Sequence, residues 1–129
     1  MKKLKLNEND DVFILERIYY ADGEPLCLTK TVLPYKLFPK IECFDFINNS
    51  LYDILENFYN LKITRANQVL EASSSTSYLS NSLSIEDGHP LLLFRTTTYG
   101  KLDDVEIPFE YFKSYYKTDK IKYSMDQVR

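Results

Sequence analysis

Apolar and polar positions alternate most clearly near the start of the chain. Residues 12–21, VFILERIYYA, are rich in β-branched and aromatic side chains, and Asp22-Gly23 follows directly with Pro25 behind it, which predicts a strand entering a turn. PLCLTKTVLP resumes the pattern, so residues 12–34 read as a β-hairpin closed around Asp22-Gly23. The signal is mixed over residues 35–46, a loop with room for a helical turn. Leu51, Ile54, Leu55 and Phe58 then recur at helical spacing. Ser50 stands at the N-cap position and Asp53 in the first turn, where the helix dipole favours a carboxylate, so a helix is predicted from there to near Asn60. Asn48 and Asn49 precede Ser50, which puts more capping side chains here than one helix needs.

LKITRANQVLEAS continues as an extended stretch. SSSTSYLSNSLSI reads either as a loop or as a polar-faced helix with Tyr78, Leu79 and Leu83 inward, and the helix is preferred. Asp87-Gly88-His89-Pro90 echoes Asp22-Gly23-Glu24-Pro25, and each is followed by an LxL strand, here PLLLFRTTTY. After a loop at GKLDD, VEIPFEYFKSYY alternates again and sets Glu110, Phe112, Ser114 and Tyr116 on one face. The chain has 3 glycines, and each is assigned to a turn. The sum is an antiparallel α+β domain: two hairpin-like pairs, an extra strand, and two or three short helices on one side.

Composition narrows the class. A chain of 129 residues, 44% hydrophobic and 15% aromatic, suits one domain with one core. Its formal net charge of −3, with neither sign gathered into a block, makes it a poor nucleic-acid binder on its own. Cys27 and Cys43 lie far apart, outside any CxxC or Cys/His spacing and without a secretory signal, and are read as reduced, buried thiols of a cytoplasmic protein. The longest apolar runs, such as residues 90–94, are far shorter than the roughly 20 residues a bilayer-spanning helix needs, so no membrane contact is expected.

Little in the chain speaks for catalysis. The single histidine, His89, sits in a turn without a spaced Cys or His partner, so no metal and no cofactor are expected. GxGxxG, Walker A, GxSxG and HExxH patterns do not occur. Glu16, Glu24, Glu71 and Glu110 are scattered carboxylates whose spacing does not bring them together. Arg17 is sharper. It shares a strand face with Phe13, Leu15 and Tyr19, so either that face is wet or the guanidinium points inward, where it needs an anion.

Taken in order, RIYYADGEPLCLTKTVLP, NNSLYDILENFYNLKITRANQVLEA, DGHPLLLFRTTTY and PFEYFKSYYKTDKIKY resemble the UTRA domain, the effector-binding part of HutC-like GntR transcriptional regulators. The resemblance runs from about residue 6 to residue 123. It implies a chorismate-lyase-like α+β fold, homodimerisation through this domain, and a small-molecule effector that alters operator binding by a separate winged helix-turn-helix. On this reading residues 1–129 are an effector-binding and dimerisation domain lacking its opening segment, and DNA is reached only through the absent winged-helix domain. An enzyme of the lyase type on the same fold and a purely structural dimerisation module are the alternatives.

Position by position, the resemblance puts Arg17 and Ser50 where sugar-phosphate-binding relatives contact phosphate, and Tyr52, Glu110 and Tyr116 on positions facing the effector cavity. Tyr19 stands in place of a second pocket Arg, and Thr29 in place of a Glu that grips sugar hydroxyls. The implied ligand is an anionic metabolite, a sugar phosphate or an organic acid. A helix N-terminus at Ser50 suits this, because its free N–H groups attract anions, and Asn49 would then be a spare cap.

Overall fold

The computed structural model describes residues 3–118; the end of the family-like segment, from residue 119 on, lies outside them. The chain runs β1 (Val12–Ala21), β2 (Glu24–Pro34), two 3₁₀ turns (Tyr35–Leu37 and Ile41–Cys43), α1 (Leu51–Phe58), β3 (Lys62–Ser74), α2 (Ser77–Leu83), β4 (Pro90–Leu102) and β5 (Val105–Lys117). The strands form one sheet in the order β1-β2-β5-β4-β3, and all neighbours are antiparallel.

Two tight turns set the registers. Asp22 (φ 51°) and Gly23 (φ 78°) close β1 on β2 with Ala21 opposite Glu24, and Asp103 (φ 53°) and Asp104 (φ 65°) close β4 on β5 with Leu102 opposite Val105. Two successive residues at positive φ give a hairpin turn whose twist matches the strands, and Asp tolerates that conformation better than most side chains. The expected GKLDD loop is therefore only its two aspartates. Gly100 lies inside β4 rather than in a turn, and a Cβ there would stand 2.9 Å from Leu61 Cδ1 and 3.0 Å from the Lys62 carbonyl oxygen.

Register also decides which side each helix covers. Phe13, Arg17 and Tyr19 on β1 face Leu33, Thr29 and Cys27 on β2, and the last two face Ser114 and Tyr116 on β5. At one end of this face α1 seals the main core, in which Leu33, Phe38, Ile41, Leu51, Ile54, Leu55, Leu61 and Phe109 are buried. Leu28 and Leu91 point the opposite way and pack against Leu79 and Leu83 of α2, with Ile18 and Tyr115 at the margin. The helices thus lie on opposite faces, not on one side as expected, because residues of both parities on β2 carry leucines that need cover. Tyr78 is outside this cluster, 57% exposed, with its hydroxyl on Glu16. Phe58 is also exposed and rests its ring on Phe44. Cys27 is buried but Cys43 is exposed, and both are free thiols.

The serine-rich segment earns its helix through Ser75. Its hydroxyl donates to the Glu86 carbonyl at 2.6 Å and accepts from Ser80 Oγ and the His89 N–H, tying α2 to the start of β4. β5 is interior to the sheet, and the edges are β1 and β3.

Candidate functional site

Opposite α2, the sheet and the N-terminal end of α1 enclose a cavity of about 490 Å³, within the range of small-molecule sites. Arg17 and Tyr19 come from β1, Cys27, Thr29 and Thr31 from β2, Ser50 and Tyr52 from the start of α1, and Glu110, Phe112, Ser114 and Tyr116 from β5. All the residues singled out in the sequence, Arg17, Tyr19, Thr29, Ser50, Tyr52, Glu110 and Tyr116, line this one space. Thr31, Ser114 and Cys27 were missed as site residues. The signal for them was parity, since Cys27 and Thr31 flank Thr29 at two-residue spacing and Ser114 lies between Phe112 and Tyr116 on a face already recognised.

Arg17 points inward. Its Nη2 is buried and has no hydrogen-bond partner among the described residues, and Phe46 lies against the guanidinium with its ring centroid 5.9 Å from Cζ. Across the sheet, Thr29 and Ser114 hydroxyls share a 2.9 Å hydrogen bond. Ser50 is extended (φ −69°, ψ 138°) and its carbonyl takes the first helical bond, from the Ile54 N–H, yet its hydroxyl makes no capping bond. That hydroxyl and the first N–H groups of α1 are left for another acceptor. Asn48 and Asn49 are not spare caps: Asn48 donates its amide to the Asp45 carboxylate at 2.7 Å, and Asn49 donates to the Asp45 carbonyl at 3.0 Å.

Glu110 keeps parity with Ser114, which pairs with Thr29, and so faces the cavity; the ladder slips just beyond it. Thr98 pairs with Glu110 but Tyr99 with Pro108, which leaves Phe109 as an extra residue. A bulge lets two successive side chains turn the same way. Phe109 enters the α1 core while Glu110, 3% exposed, accepts hydrogen bonds at Oε1 from Tyr52 Oη (2.6 Å) and Thr98 Oγ1 (2.9 Å). Burial holds the Glu110 carboxyl above its ordinary range, against the opposing pull of those two bonds and of the Arg17 charge. Burial also raises the Tyr52 hydroxyl, with the Glu110 charge adding to it, and pushes Tyr116 up to about 12. Desolvation raises the Cys27 thiol as well, so it is not an activated nucleophile. Among the described residues no three His, Cys, Asp or Glu side chains gather to hold a metal. The site thus combines one fixed cation, one buried carboxylate, free hydroxyls and aromatic walls, a set suited to gripping a small polar molecule.

An antiparallel α+β domain with a ligand-sized cavity on one face of its sheet is the class that fold and site define. The UTRA domain profile matches residues 1–122, and the chain belongs to the UTRA domain family, a regulatory domain of GntR-type transcriptional regulators rather than an enzyme family. It is 32% identical over 106 residues to the HTH-type transcriptional repressor NagR of Bacillus subtilis, covering 82% of this chain and 42% of NagR. It is 27% identical to the mannosyl-D-glycerate transport/metabolism system repressor MngR of Escherichia coli, over 96% of this chain and 50% of MngR. The crystal structure of a GntR-family transcriptional regulator from Enterococcus faecalis V583 superposes with a TM-score of 0.86 at 29% identity, covering 98% of this chain and 88% of that one. The chain spans about half the length of the curated relatives it matches.

Proposed function

We propose that the chain is the metabolite-sensing and dimerising part of a cytoplasmic, HutC-like bacterial repressor. An anionic effector, a sugar phosphate or a sugar-linked organic acid, binds in the cavity and changes the affinity of a winged helix-turn-helix domain for operator DNA. The observation that carries this reading is Arg17. A buried charged donor without a partner costs about 1–3 kcal/mol or more, a cost that an anion seated between Arg17 and the start of α1 removes. Ser50 supplies a second donor, and Tyr19, Thr29, Glu110 and Tyr116 hold the remainder of the ligand, with Tyr52 fixing the Glu110 carboxylate. The name of MngR supports the ligand class, since mannosyl-D-glycerate joins a sugar to a carboxylic acid.

A thermal-shift screen over phosphorylated sugars, organic acids and amino-acid derivatives tests the proposal. A ligand at a hundred times its Kd stabilises the folded state by about 2.7 kcal/mol, a clear rise in melting temperature. An active compound that stabilises Arg17→Ala as much as the parent refutes the anion site. Dimerisation is tested by light scattering, where a monomer at tens of micromolar refutes it.

A further inference from the structure

Between the second 3₁₀ turn and α1 the chain makes a short loop that the proposed ligand site does not yet explain. Its centre is Asp45. The carboxylate accepts from the Ile47 N–H at 2.9 Å and from the Asn48 side chain at 2.7 Å, and the Asp45 carbonyl takes the Asn49 side-chain amide at 3.0 Å. These bonds close residues 45–49 on themselves. The consequence is an unusual choice of which apolar side chain turns inward. Ile47 is left 94% exposed, while Phe46 folds under the loop, 5.8 Å from the Phe13 ring and 5.9 Å from the Arg17 guanidinium. Immediately after the closed turn comes Ser50, at the cavity wall. One knot therefore fixes two neighbours of the proposed anion end: Phe46, whose ring lies by the Arg17 guanidinium, and the entry to α1.

We propose that Asp45 is a positioning residue for the cavity: by closing residues 45–49 it presses Phe46 onto the Arg17 guanidinium and delivers Ser50 to the opposite side, so that the anion end is assembled before a ligand arrives. This rests on the anion-binding reading given above. The energetic logic is preorganisation. With Asp45 removed, Phe46 and the residues before Ser50 must be ordered at the moment of binding, and ordering one or two side chains weakens affinity roughly threefold to tenfold. The carboxylate is held ionised by its hydrogen bonds, chiefly that from Asn48, and so remains a full acceptor at neutral pH.

Nuclear magnetic resonance of the 129-residue chain tests this, with inorganic phosphate as the probe. In the parent, the Arg17 Nε–H resonance carries a ring-current displacement from Phe46, and phosphate moves it together with the Ser50 amide. Asp45→Ala is expected to abolish that displacement before any phosphate is added, to weaken phosphate roughly threefold to tenfold, and to raise its dissociation rate. Asp45→Asn, which keeps an acceptor for the Ile47 N–H and can donate to Asn48 once that amide turns over, restores all three. A dispersed amide spectrum shows that each variant is folded. If Asp45→Ala leaves the Arg17 resonance and the phosphate affinity unchanged while Arg17→Ala abolishes binding, the positioning role is wrong and the anion site stands. If Arg17→Ala binds phosphate as the parent does, or the parent does not respond to phosphate, the anion reading falls and the role of Asp45 with it.

Discussion

Replacing Glu110 by Gln isolates the electrostatic balance of the cavity. Both hydroxyl donors, Tyr52 and Thr98, bond to the same oxygen, Oε1, so a carboxamide can present an identical acceptor to each and change only the charge. In the parent, burial outweighs those bonds and the Arg17 charge, and the folded-state pKa is raised. A carboxyl with a raised folded pKa binds its proton more tightly in the folded than in the unfolded chain. It therefore costs nothing below the unfolded value, near 4.3, and costs progressively more as the pH rises through the folded value, after which the cost is constant. Each unit of displacement corresponds to about 1.36 kcal/mol, so the size of the displacement is read directly from the stability difference between high and low pH.

Glu110→Gln is thus expected to be more stable than the parent at pH 7 and equal to it near pH 4. At roughly 2.1 cal/mol/K of unfolding entropy per residue, a chain of 129 residues gains about 4 °C in melting temperature for each kcal/mol of that difference. Paired calorimetric melts between pH 4 and 8 measure it, and taking differences cancels every group the two proteins share. A variant less stable than the parent at pH 7, with a gap that does not close toward pH 4, would show that hydrogen bonds and Arg17 outweigh burial.

Three further outcomes follow from the same geometry. Tyr52→Phe keeps the ring against Phe109 but removes a 2.6 Å donor from a buried carboxylate, and should lower stability by about 1.5–3 kcal/mol in urea titrations. Gly100→Ala places a Cβ 3.0 Å from a backbone carbonyl oxygen that cannot swing aside, and should cost about 1–3 kcal/mol, read as a lower denaturation midpoint at unchanged slope. With any effector found in the screen, calorimetry should show Arg17→Ala weakening binding about tenfold to a hundredfold and Ser50→Ala by about 1 kcal/mol; equal affinity in Arg17→Ala would displace the anion from this end.

Local signals in the sequence were read well where the physics is local. Asp22-Gly23 between alternating strands announced its hairpin, because glycine enters positive φ without penalty. Asp103-Asp104 makes the same turn but looks like an ordinary polar loop, since Asp enters that region only when the flanking ladder holds it there. Gly100 was misassigned for the converse reason: its cause is the approach of Leu61 and the Lys62 backbone from across the fold, which no window around residue 100 contains. The placement of α2 was invisible in the same way. Its own leucines show that it has an apolar stripe, but only the β1-β2-β5-β4 register shows that Leu28 and Leu91 turn away from α1.

The cavity itself combines both kinds of information. Arg17 was legible because a guanidinium interrupts an apolar strand face; Glu110 was singled out by the family resemblance, and its parity with Phe112, Ser114 and Tyr116 agrees with that. Strict alternation would then send Phe109 to the α2 face, leaving the α1 core without a ring that is buried beneath it. The slip between Thr98 and Tyr99 resolves the conflict by turning Phe109 to the side that Glu110 already faces. The core and the ligand site are therefore not independent parts of this domain. The bulge that completes the packing under α1 puts the Phe109 ring against Tyr52, whose hydroxyl holds the Glu110 carboxylate, so a change that repairs the regular ladder there would be expected to disturb the core and, through Tyr52, the cavity.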